Sequence, residues 1–181
     1  MTLRIRIPES WPTWQKPDAP LFPPPPFTCA RLMSHYPKHP DITCTGPEAA
    51  ASLSRLHALC FPKAPWTMDS CKETLEIPGT FLLLHPEGFL LLRMSGPEGE
   101  ILSIGVAPTA RGHGLGHHLV ATALEKAREH NARTLLLEVS EKNPEALALY
   151  KKNGFLEISR RPKYYTRQGN GEDAIVMQKN L

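Results

Sequence analysis

The residues from Glu100 to His118, EILSIGVAPTARGHGLGHH, constrain this chain more than any other stretch. An apolar strand, Ile101 to Val106, ends at Pro108. A turn follows, made of Arg111, Gly112, His113, Gly114, Leu115 and Gly116, and it opens directly into a helical pattern. Glycines close to a helix N-terminus let the backbone fold tightly and let a ligand approach the main chain, and the first N–H groups of that helix have no intrahelical partner. Such a turn predicts a cradle for phosphate.

Spacing separates the sites that share this layout. A Walker loop needs Gly-x-x-x-x-Gly-Lys-Ser/Thr, and no Lys-Ser or Lys-Thr follows here. A dinucleotide fingerprint needs Gly-x-Gly-x-x-Gly and an acidic residue about 20 residues further on. The turn instead reads Gly112-x-Gly114-x-Gly116, preceded by Arg111.

With 181 residues and 41% hydrophobic content, the chain has material for one core. A net charge of +3 is carried by scattered Lys and Arg residues, which argues against a nucleic-acid partner. Cys29, Cys44, Cys60 and Cys71 form no Cys-x-x-Cys pair, and no histidines stand at zinc-finger spacing from them. Reduced, partly buried thiols and no metal site are expected. No apolar run approaches the ~20 residues that span a bilayer, and the start MTLRIRIPESW lacks the apolar core of a secretory signal, so the expectation is a soluble, cytoplasmic monomer.

Residues 1–40 differ in texture. Prolines including the run Pro23 to Pro26 favour an extended backbone, and Trp11, Trp14, Phe22 and Phe27 lie among them. The mixture fits a disordered tail, an arm laid over the domain by its aromatic residues, or a ligand for a proline-recognition domain. From Asp41 onward the pattern is globular. It reads as strand, helix, helix, three strands, helix, strand, helix and two strands. The helices are expected to be capped by Thr67 and Asn143, and the last two strands, Phe155 to Arg160 and Ala174 to Gln178, to be joined by a polar segment, Pro162 to Asp173. That order predicts a mixed α/β domain over residues 41–181, with a central sheet and helices on both faces.

Glu138 interrupts the apolar strand Thr134 to Val139. A carboxylate there either faces outward from an edge strand or lines a polar cleft as a general base, its pKa raised toward neutrality by partial burial. Tyr150, on the next helix, is either a core aromatic or a proton donor to a departing thiolate. Asn143 can cap that helix, bond a ligand amide, or do both with different atoms.

Together these stretches carry a resemblance. Arg111-x-x-Gly114-x-Gly116 resembles the pyrophosphate loop of the GNAT acetyltransferases, which bind acetyl-CoA. FPxxPW at Phe61 to Trp66, EILSIGVAP, RGHGLG, LLLEVSEKNPEALALYKKNGF at Leu135 to Phe155, and RRPKYYTRQGNGEDAIVM at Arg160 to Met177 together look like the RimI-type branch. Those enzymes acetylate the N-terminal α-amine of a protein, in the type case an alanine on a ribosomal small-subunit protein. The resemblance covers about Thr43 to Leu181. It implies the acyl-CoA N-acyltransferase fold with splayed central strands, Glu138 as general base and Tyr150 as general acid. It sets the acetyl and pantetheine groups against Ile104, Gly105 and Val106, the pyrophosphate against Arg111, Gly112, His113, Gly114, Leu115, Gly116 and His117, and Asn143 as a further contact. Trp66, Tyr164 and Tyr165 would shape the peptide groove, the two tyrosines from the connection between the last strands. His113 and His117 stand where the family more often has other basic or amide residues. Competing readings are a GNAT enzyme for a small amine or a lysine side chain, and a noncatalytic acyl-CoA-binding module.

Overall fold

The computed structural model describes residues 41–165 and 171–181. The proline-rich segment 1–40, with its expected arm or tail, lies outside them. In chain order come β1 (Thr43–Thr45), α1 (Ala50–Cys60), α2 (Met68–Glu76), β2 (Thr80–His85), β3 (Gly88–Ser95), β4 (Glu98–Val106), α3 (Leu115–Glu129), β5 (Thr134–Ser140), α4 (Pro144–Lys152), β6 (Leu156–Tyr165) and β7 (Glu172–Asn180). The strands form one seven-stranded sheet in the order β1-β2-β3-β4-β5-β7-β6. Among the described residues only β4 and β5 pair in parallel, and they are the neighbours joined through a crossover helix, α3.

Alternation along the strands feeds two cores. Leu83, Leu90, Leu92, Ile101, Leu135, Leu137 and Val139 meet the apolar stripe of α3, Leu119, Val120, Ala123 and Ala127, with α4 alongside. The residues between them on β2 and β3, Leu82, Phe89 and Leu91, meet Leu53 and Leu56 of α1 and Cys71 and Leu75 of α2. Helices therefore cover both faces. The caps fall as the sequence predicts: Thr67 Oγ1 accepts from the Ser70 N–H (3.1 Å) and Asn143 Oδ1 from the Ala146 N–H (3.1 Å).

Three expectations need correction. β5 lies between β4 and β7, so Glu138 does not sit on an edge strand. β4 begins at Glu98 rather than Ile101, because the Gly96–Pro97 turn is tight enough for Glu98 and Gly99 to pair with Ser95 and Met94. Tyr164 and Tyr165 belong to β6, whose pairing with β7 is interrupted after Arg161↔Ala174 and resumes at Tyr165↔Glu172. Among the described residues, Cys60 and Cys71 are free thiols, and no helix is long and apolar enough to cross a membrane.

Candidate active site

β4 and β5 run side by side only from Glu98↔Thr134 to Ile101↔Leu137. The next β4 residue, Leu102, is a bulge, since Leu92 opposes Ile101 whereas Leu91 opposes Ser103. A bulged residue bends its strand and sharpens its twist. Here it turns β4 away from β5 at the point where their pairing stops. Leu102 to Val106 then keep β3 on one edge, through Ile104↔Leu90, Gly105↔Phe89 and Val106↔Gly88, and have no strand on the other among the described residues. The gap offers main-chain N–H and C=O groups to an extended ligand. Packing beneath it is close: a Cβ on Gly105 would lie 2.6 Å from Phe89 Cε1 and 2.8 Å from Cys60 Sγ.

Beyond β4 the chain makes a short 3₁₀ turn at Pro108–Ala110, and Arg111 Nε donates to the Val106 carbonyl at 3.2 Å. Gly112 and Gly114 take left-handed φ values of 81° and 86°, which an L side chain rarely adopts. Gly116 serves packing instead, since a Cβ there would meet Leu149 Cδ2 of α4 at 3.3 Å. The first backbone bond of α3 runs from the His118 N–H to the Gly114 carbonyl (3.1 Å), and no side chain caps this end. The N–H groups of Leu115, Gly116 and His117 are left over from the helix. Among the described residues, nothing lies within 4 Å of a Cβ built on Gly112 or Gly114 and His117 Nδ1 is buried without a hydrogen-bond partner, and no acidic residue occurs between Glu100 and Glu125. These residues fit a diphosphate.

On the α1/α2 face, charged groups cluster where the two strands part. Glu100 is in register with Leu136, and Glu138 stands two residues further along β5 on the same face. Glu138 Oε1 meets Arg161 Nη1 of β6 at 2.8 Å, and the Tyr164 hydroxyl donates a hydrogen bond to the same carboxylate. The Arg161 guanidinium lies 5.6 Å from the centre of the Tyr164 ring. Burial pushes the Tyr164 phenol above its ordinary value, helped by the negative charge and hydrogen bond of Glu138, so it remains a donor. Across β3, Arg93 Nη2 holds Glu100 Oε2 at 3.2 Å. Burial raises the Glu100 carboxyl, Arg93 opposes that rise and Glu138 adds to it. No sequence motif marks Glu100 or Arg161 as functional; the signal for Glu100 is Arg93, which faces it across the hairpin.

Tyr150 is 4% exposed, with its ring edge-on to Phe155 (5.8 Å), and belongs to the α3 core on the opposite face of the sheet from Glu138. Asn143 caps α4 through Oδ1. Trp66 is pinned to α1: its N–H donates to His57 Nδ1 (3.1 Å), its carbonyl accepts from Ser54 Oγ (3.1 Å), and its indole stacks on the His57 ring at 4.6 Å. Burial lowers the His57 pKa to about 4, which leaves Nδ1 free of a proton and able to accept. His57 is the residue that shapes the Phe61 to Trp66 turn.

The sequence pattern of the acetyltransferase (GNAT) family matches residues 53–155, which hold the parted strands, the glycine turn, Glu138 and Tyr150. The chain belongs to the GNAT acetyltransferase family. GNAT enzymes use acetyl-CoA, and this member is an N-acetyltransferase. A protein of Bacillus subtilis (strain 168), named as a candidate ribosomal protein bS18-alanine N-acetyltransferase, is 38% identical over 120 residues, 63% of this chain and 78% of the relative. In structure, the ribosomal-protein-S18-alanine N-acetyltransferase of Escherichia coli matches with a TM-score of 0.70 at 24% identity, over 77% of this chain and 92% of that one. A candidate acetyltransferase of Salmonella typhimurium, solved with its cofactor acetyl-CoA, shares the fold with a TM-score of 0.64 at 19% identity, over 78% and 94% of the two chains.

Proposed function

We propose that this GNAT enzyme transfers the acetyl group of acetyl-CoA to the N-terminal α-amine of a protein in the cytoplasm, with an alanine-starting ribosomal small-subunit protein as the substrate class. The observation that carries the reading is the Glu138 carboxylate at the first β5 position beyond the last β4 pair, beside the 39%-exposed ring of Tyr164. The name of the Bacillus subtilis relative supports the choice of substrate.

The thioester lies in the gap along Ile104 to Val106, its diphosphate on the amides of the 112–117 turn. Glu138 takes a proton from the α-ammonium, directly or through water. The freed amine attacks the thioester carbonyl and the C–S bond breaks as the amide forms; Tyr150, on the α3 side of the gap and opposite Glu138, gives its proton to the departing thiolate through the parting of β4 and β5. Each proton transfer is worth about 10²- to 10⁴-fold, and alignment of the two substrates supplies the rest. Residues 41–181 make up the catalytic unit, and 1–40 contribute to stability or partner choice.

The test is an acetyl-transfer assay with three acceptors: a synthetic peptide starting with alanine, the same peptide N-terminally blocked but containing lysine, and spermidine. The first should be acetylated and the others not; transfer to the blocked peptide or to spermidine alone refutes the substrate assignment. Glu138→Gln and Tyr150→Phe should each lower kcat about 100-fold or more while coenzyme A still binds. A chain starting at Asp41 should keep the rate.

A further inference from the structure

We propose that Arg161 is a positioning residue for the transfer: it holds and aims the Glu138 carboxylate before the substrate ammonium arrives, and then cedes part of that carboxylate to it. The inference rests on Glu138 being the base.

Four charged side chains share this face in the order Arg93, Glu100, Glu138, Arg161 from β3 to β6. The Glu100 carboxylate is occupied by Arg93 and repels a second negative charge on Glu138. Arg161, a third exposed and 2.8 Å from Glu138 Oε1, is the cation that offsets that repulsion. Tyr164, also on β6, adds a hydrogen bond to the same carboxylate and backs the guanidinium with its ring. These are the charged and titratable groups on Glu138 from β3, β4 and β6. Among the described residues the Glu138 carboxylate is held by Arg161 and one phenol and retains lone-pair sites, since each ionised carboxyl offers about four. An incoming ammonium can therefore bond Glu138 without expelling Arg161, and it meets a carboxylate already oriented. A guanidinium stays charged throughout the working pH range, so this support does not titrate away.

The experiment compares pH profiles of kcat/KM for acetyl-CoA and an alanine-starting peptide across wild type, Arg161→Met, Arg161→Lys, Tyr164→Phe and Glu138→Gln. The peptide amine titrates identically in every assay, so a displaced limb belongs to the enzyme. Loss of the positive charge should move the acid limb of Arg161→Met up by about one pH unit. Arg161→Lys should restore most of it, and Tyr164→Phe should move it in the same direction by less. Coenzyme A affinity, read by calorimetry, should stay within about twofold in all of them. An acid limb that stays in place in Arg161→Met while Glu138→Gln is inactive overturns the role of Arg161 and leaves the base standing. A faster Arg161→Met at neutral pH also overturns it, because Arg161 would then be a block on the base. Full activity in Glu138→Gln removes both.

Discussion

The Trp66 backbone N–H donates to His57 Nδ1 at 3.1 Å, and the two rings stack 4.6 Å apart at an interplanar angle of 17°. One imidazole thereby fixes both the main chain and the side chain of the turn that leads into α2. The bond requires a neutral ring, and burial supplies one by lowering the His57 pKa to about 4 from 6.5.

Acid stability follows from that displacement. The folded-state value is below the unfolded one, so protons favour the unfolded chain. The His57 contribution is fully present above about pH 6.5 and is lost as pH falls toward 4, up to about 3 kcal/mol. Denaturant unfolding of wild type and His57→Leu at pH 7 and pH 4.5 should show the wild type losing more stability on acidification than the variant. Equal losses would remove His57 as the cause.

Gly105 is required for steric room. An alanine there would press its Cβ to 2.6 Å from Phe89 Cε1, in a ring that is fully buried, and to 2.8 Å from Cys60 Sγ. Overpacking of this kind costs about 1–3 kcal/mol. Gly105→Ala should therefore lower Tm by several degrees, and adding Cys60→Ala should recover only part of it, because the Phe89 contact remains. Full recovery would place the whole conflict at Cys60.

The alternation of apolar residues, the caps and the glycine turn carried the element order and the layered architecture, because those signals are local. The parting of β4 and β5 was not local. It depends on the Leu102 bulge, a mismatch between strands whose register only the folded hairpin defines. Glu138 was conspicuous as a charge among leucines, but its partner Arg161 lies 23 positions away on a strand reached through β7, and the apolar-pattern reading had no reason to join them. Pro162 to Asp173 reads as a polar connection, yet Tyr164 lies on β6. β6 is an edge strand, and its pairing with β7 is irregular between Arg161 and Tyr165, where Pro162 lies.

The turn before α3 separates two roles for its glycines. Gly114 has φ 86° with nothing within 4 Å of a Cβ, so Gly114→Ala meets strain and no clash. The left-handed conformation costs an L residue about 1–2 kcal/mol. If the turn relaxes to escape that strain, the amides of Leu115 to His117 lose their shared direction, and coenzyme A affinity should fall about tenfold, equivalent to about 1.4 kcal/mol. Isothermal calorimetry with coenzyme A checks this, and unchanged affinity alongside a lowered Tm would move the diphosphate seat elsewhere.

Asn143 offers a case in which capping and ligand contact can be pulled apart. Its Oδ1 accepts from the Ala146 N–H at 3.1 Å, which leaves the Nδ2 donors to face a pantetheine carbonyl. Asn143→Ala removes both functions and should cost about 1 kcal/mol of stability through the lost cap. Asn143→Asp keeps an acceptor for Ala146 and adds a negative charge at a helix N-terminus, which is favourable there, so its Tm should match wild type. Yet it has no amide donor, and its KM for acetyl-CoA should rise severalfold, as in Asn143→Ala. Steady-state kinetics on the two variants decide the matter. If Asn143→Asp keeps both the wild-type Tm and the wild-type KM, the side chain only caps α4, and the cofactor is held by the β4 edge and the glycine turn.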